Sequence, residues 1–107
     1  MNVKRGDVVL VSLDPVVGNE MRKTRPCLVV SPDELNVHLN TFIIAPMTTQ
    51  WHPYPFRVKC EFQGKSGHIV LDQMRTIDRA RIISHLGRLP AQNLKSVFAT
   101  LQELFAE

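Results

Sequence analysis

A mainly β fold, a small barrel or strongly curved sheet with one helix at its C-terminal end, is what the sequence predicts, and three observations carry that prediction. Seven prolines in 107 residues leave little room for long helices, because proline lacks a backbone donor and clashes with the preceding turn. The apolar residues fall instead into short runs rich in Val and Ile, punctuated by Gly, Pro, Asn and Asp. Only in the tail do they recur at three- and four-residue spacing. There Leu94, Val97, Phe98, Leu101, Leu104 and Phe105 form one stripe, suited to covering a sheet edge or a barrel opening.

Residues 7–13 (DVVLVSL) read as the first strand, stopped by Asp14 and Pro15. A polar connection of about ten residues follows, far longer than the two to five of an ordinary hairpin turn, with Gly18 and Asn19 at its bend and Glu20, Arg22, Lys23 and Arg25 near its end. Residues 26–31 (PCLVVS) form a nearly continuous apolar run, the mark of a strand buried on both faces. Pro32, Asp33 and Glu34 suit a single helical turn at most. Residues 41–46 (TFIIAP) start a third strand that continues through Thr49, and residues 56–62 (FRVKCEF) alternate as a half-buried fourth. Gly64 and Gly67 bracket a tight connection to residues 68–71, and Asp72 and Gln73 mark a bend or bulge before residues 74–77. A last strand is expected over residues 82–89, and Pro90 lies near the first turn of the tail helix.

No repeat, linker or composition shift divides the chain, so one domain over residues 1–107 is expected, with enough core to fold without disulfides or metals. Cys27 and Cys60 lie in strand-like apolar segments with no CxxC pair and read as buried free thiols. No apolar run approaches the ~20 residues of a membrane span, and no signal-peptide core precedes the first strand, so a cytoplasmic protein is expected. The net charge of +3 is mild, but eight of the thirteen cations are arginine, gathered around residues 22–25 and 75–88. Arginine's planar fork matches phosphate, which favours a nucleic-acid partner over a merely solubilising surface.

His38, His52, His68 and His85 lack ligand spacing, so no metal or other cofactor is expected. Ser12 and Cys27 lie within strands rather than at an exposed nucleophile turn, and no glycine-rich phosphate loop is present. There remains a set of Arg, Thr, Glu and Gln at strand ends and loops: Glu20, Arg25, Thr48, Gln73, Arg75 and Asp78. Such groups suit RNA cleavage, where the 2′-hydroxyl is the nucleophile and the protein supplies orientation, proton transfer and charge stabilisation. The residues alone leave structural alternatives open: Arg25 could pair with Glu20, and Arg75 with Asp78.

The chain resembles the MazF/PemK (Kid) toxins of bacterial toxin–antitoxin pairs. The likeness runs over roughly residues 4–89, through KRGDVVLVSLDPVVGNE, RPCLVVSP, APMTT with YPFRV, and GHIVLDQMRTID in that order. It implies a small SH3-like or CcdB-like barrel with a C-terminal helix, acting as a homodimer. It also implies an endoribonuclease that cuts single-stranded RNA, usually messenger RNA, without a metal and leaves 2′,3′-cyclic phosphate and 5′-hydroxyl ends.

By the same resemblance, Arg25 before Pro26, Thr48 and Glu20, the acidic residue of the first loop, are the catalytic residues, with Glu20 the only strong base among the three. Gln73 and Arg75 match the RNA-facing surface. Asn19 and Asn36 are expected base-edge readers by residue type and loop placement, and Trp51, with Tyr54 and Phe56, offers stacking faces. A cognate MazE-like antitoxin is implied as partner, with operator DNA bound only through the complex. Met21, Arg22, Lys23 and Thr24 are bulkier and more basic than the small residues several relatives carry there. The competing reading is a non-catalytic module on the same barrel, either a CcdB-like gyrase poison or a nucleic-acid-binding regulator.

Overall fold

The computed structural model describes residues 2–50, 52 and 54–107. Seven strands make one antiparallel sheet: β1 (Asp7–Ser12), β2 (Thr24–Val29), β3 (Thr41–Thr48), β4 (Arg57–Phe62), β5 (Lys65–Val70), β6 (Arg75–Asp78) and β7 (Ile82–Arg88). Their order is β4-β5-β3-β2-β1-β7, with β6 paired to β3 off that path. The sheet curls until its two ends meet. There the Gln63 side chain donates to the Leu86 carbonyl at 3.0 Å and the Phe62 ring lies against Gly87. The mainly β barrel expected from the sequence is thus what the chain forms.

The apolar run in the second strand is buried on both faces as its composition requires, because alternate residues enter two separate cores. Leu28 and Val30 join Val8, Ala45, Met47, Ile69 and Leu89 in one; Cys27 and Val29 join Val9, Val11, Phe42, Ile44 and Ile77 in the other. Helix α2 (Ala91–Leu104) closes the first core with fully buried Val97 and with Leu94, Phe98 and Leu101 packed beside it. Phe105 falls past the helix end and stays exposed, so the stripe stops one residue pair short of the expectation. The second core has no helix over it. It is covered by Val16 and Met21 of the long β1–β2 connection, which therefore serves as wall as well as loop.

Local chemistry sets the remaining elements. α1 (Asp33–His38) is longer than the single turn expected: it starts after Pro32 with Asp33 and Glu34 in its first turn, and buried Asn36 anchors it. The β4–β5 hairpin turns through Gln63 (φ 52°) and Gly64 (φ 77°), two left-handed residues in succession, as a two-residue turn matching strand twist requires. Gly67 lies inside β5, not at the turn, because a Cβ there would sit 2.5 Å from the Thr48 carbonyl oxygen. The bend at Asp72 and Gln73 is a 3-10 turn over Leu71–Gln73. Since Leu28 is fully buried in the central strand beneath α2, Leu28→Ala is expected to lower unfolding free energy by about 2–5 kcal/mol in urea denaturation, through lost burial plus a cavity.

Candidate functional site

β3 organises the site because it is shared. β2 pairs along one of its edges, while the opposite edge pairs with β6 over Thr41 to Ile44 and with β5 at Met47 and Thr48. Thr48 faces His68 of β5 directly, and beyond the last β2–β3 pair, Cys27 with Pro46, Arg25 and Thr48 each lie two residues further along their strands. Arg25, Thr48 and His68 therefore occupy one row across three adjacent strands. They border a common cavity of about 280 Å³, with Pro26, Lys65 and Phe62 also on its walls.

Arg25 is half-buried and its Nε donates to the Arg22 carbonyl at 3.0 Å, which fixes the guanidinium while its terminal nitrogens make no hydrogen bond or ion pair among the described residues. The Thr48 hydroxyl accepts from the Gln50 amide at 3.1 Å and so keeps its own proton for donation outward. Beneath them, burial pushes the Cys27 thiol up to about 12, against the opposing pull of Arg25 and Arg75. The buried thiol is therefore held in its protonated, weakly nucleophilic form. Cys60 is also free and buried, and its thiol is raised by desolvation.

A second cavity, of about 400 Å³, is lined by Asn19, Glu20, Met21, Pro46, Gln73 and Arg75, among others. Gln73 accepts a 2.6 Å hydrogen bond from the Met21 amide, and Arg75 Nη1 donates to the Leu13 carbonyl at 3.2 Å, so the segment after β5 holds both ends of the long connection. Glu20 accepts from the Val17 amide at 2.7 Å and stabilises the turn around Gly18. The structure therefore brings Glu20 together with Asn19, Gln73 and Arg75, and Arg25 together with Thr48, in neighbouring cavities. The alternative pairings do not occur: Arg25 bonds a carbonyl rather than Glu20, and Asp78 accepts from the Ala80 amide rather than from Arg75.

Asn36 requires correction as a base reader. It is only 3% exposed; its amide donates to the Ser31 carbonyl at 2.9 Å and to Asp33 at 3.3 Å, and its oxygen accepts from the Ser31 hydroxyl at 2.5 Å. Its hydrogen-bonding capacity is consumed in holding α1 to the strand before it. Trp51 lies outside the described residues. Tyr54 is exposed, with the Arg57 guanidinium 4.8 Å from its ring, and Arg57 in turn makes a two-pronged pair with Asp72 at 3.1 and 3.2 Å. That pair ties β4 to the same 3-10 turn that carries Gln73.

His68 was not legible as a site residue in the sequence, where it is one of four scattered histidines. Only the strand register sets it beside Thr48. Among the described residues, no group of three or more His, Cys, Asp or Glu is placed to hold a metal, and no helix is long and apolar enough to cross a membrane.

Residues 4–105 match the family model described as PemK-like, MazF-like toxin of type II toxin–antitoxin systems. The chain is 35% identical to endoribonuclease EndoA of Bacillus subtilis over 108 residues, covering 95% of this chain and 93% of that protein. It is 33% identical to the endoribonuclease toxin MazF of Escherichia coli over 100 residues, covering 92% and 90%. Its fold is similar to the crystal structure of MazF from Deinococcus radiodurans, with a TM-score of 0.86 and 31% identity over 97% of this chain and 96% of that one. It is also similar to MazF in the MazE–MazF structure from the same organism, with a TM-score of 0.77 and 28% identity over 97% and 95%. Because Asn36 serves structure, Asn36→Ala is expected to cost about 1–3 kcal/mol in chemical denaturation by stranding the Ser31 carbonyl and hydroxyl.

Proposed function

The chain belongs to the PemK-like, MazF-like toxin family of type II toxin–antitoxin systems, and on that premise we propose that it is a toxin endoribonuclease cutting single-stranded RNA at short sequences. The observation that carries the reading is the juxtaposition of Arg25 and Thr48 on adjacent strands, each with donors turned to a shared cavity. The free end of the Arg25 fork can hold two non-bridging phosphate oxygens, and its charge offsets the negative charge that builds on phosphorus during attack. The Thr48 proton fixes a third oxygen. The attacking group is the substrate's own 2′-hydroxyl, whose oxygen forms the new bond to phosphorus as the bond to the 5′-oxygen breaks; the proton it gives up to water is balanced by the one the departing 5′-oxygen takes from water, so the step is proton-neutral overall. The ends left are then a 2′,3′-cyclic phosphate and a 5′-hydroxyl.

The neighbouring cavity supplies binding. Gln73, Arg75 and Asn19 offer donors and acceptors to a base or a second phosphate, and Glu20 belongs to this half, where its carboxylate holds the loop turn. The MazE–MazF structure from D. radiodurans supports a MazE-like antitoxin as the partner; a homodimer as the working unit and the cytoplasm as its place of action are what the family resemblance implies.

Long single-stranded RNA incubated with the protein in EDTA should be cut at a few defined sequences, with 5′-hydroxyl ends revealed by end mapping. Cutting that requires added Mg²⁺ would sink the metal-free mechanism. Arg25→Lys keeps the charge but loses the fork, and its cleavage rate should fall by roughly 10²–10³ with the fold unchanged by circular dichroism. A wild-type rate in that variant would refute the two-oxygen contact.

A further inference from the structure

The remaining oddity in the site row is His68. Its side chain is nine-tenths buried, and its Nδ1 is the one buried side-chain nitrogen or oxygen among the described residues with no hydrogen-bond partner. Buried polar atoms are normally satisfied, and an apolar residue would fit such a place at lower cost, so an unsatisfied one calls for a reason. Nε2 makes no hydrogen bond either, yet it is not among the sealed atoms, so it is the nitrogen that keeps an opening. His68 pairs directly with Thr48 and borders the same cavity as Thr48 and Arg25.

We propose that His68 is a phosphate-binding residue of this site, donating from Nε2 to a non-bridging oxygen of the RNA phosphate held by Arg25 and Thr48. Three adjacent strands span about 10 Å from the first to the third. Over that width the long Arg25 side chain and the imidazole can meet at one phosphate above the short Thr48. The tautomer follows from burial. A proton on Nδ1 would be a sealed donor with no acceptor, whereas a proton on Nε2 points a donor at the cavity and leaves only a bare lone pair inside. The same reasoning disfavours His68 as the proton acceptor, since a free Nε2 lone pair requires the proton on Nδ1. His68 therefore binds and orients.

This role rests on the endoribonuclease reading above, and the test separates the two. Gln carries an amide nitrogen near the Nε2 position, Asn carries one near Nδ1, and Phe fills the space with neither. Single-turnover cleavage should stay within about threefold of wild type in H68Q and fall by roughly tenfold or more in H68N and H68F. Affinity for a 2′-O-methyl RNA that cannot be cut should follow the same order. H68F, relieved of the unpaired nitrogen, should melt at the wild-type temperature or above, so that loss of activity accompanies undiminished stability. Full cleavage and RNA affinity in H68F, or an H68Q as impaired as H68N, would overturn the assignment. Should H68F fail to fold, the contrast between H68Q and H68N decides alone. A wild-type protein that leaves RNA intact refutes the endoribonuclease reading instead, and the affinity order then still decides the His68 contact.

Discussion

One backbone constraint governs the rest: β3 has more neighbours than edges. Its inner edge is taken by β2, and its outer edge is divided between β6 and β5. A strand divided in this way forces the chain to turn between its two partners, and that turn is the Leu71–Gln73 segment. Because backbone pairing fixes register to the residue, the divided edge simultaneously sets Thr48 against His68, aligns Arg75 with Ile44 and delivers Gln73 to the long loop. The site is thus a by-product of how one strand satisfies its hydrogen bonds.

The arginines gain a different meaning in that frame. As a sequence cluster, Arg75, Arg81 and Arg88 suggest a surface prepared for an anion. In the fold they serve backbone carbonyls: Arg75 takes that of Leu13, Arg81 those of Ser12 and Asp14, and Arg88 that of Arg5. Long connections leave carbonyls that no strand partner can satisfy, and several of these side chains supply the missing donors at the start of the β1–β2 loop. Arg25 differs in which nitrogen it spends: its carbonyl bond is made at Nε, so both terminal nitrogens stay available. Number and sign of charges could not separate these cases; geometry does.

Much of the fold was legible because its signals are local. β-branched runs, proline stops, the Gln63–Gly64 turn and the 3.6-residue stripe around Val97 all state their structure within a few residues. Arg25, Thr48, Gln73 and Arg75 were legible as a set only through motif resemblance, because their proximity depends on pairings between distant residues, such as Cys27 with Pro46 and Ile44 with Arg75. Two failures share one cause. Asn36 looked like a free polar reader on a loop, but Ser31 and Asp33 absorb its amide; His68 looked like an incidental histidine, but register seats it beside Thr48. Burial of a polar side chain is decided by tertiary neighbours that local sequence does not name.

The junction where the curled sheet meets itself bears on the molecule's behaviour in company. β4 and β7 are the terminal strands of the order, and such strands carry unpaired donors and acceptors that invite another chain to add on. No ladder joins them to each other. The Gln63 amide reaching the Leu86 carbonyl and the Phe62 ring against Gly87 close that gap with side chains alone. One amide and one ring thus occupy the place where a ladder between the two margins would run.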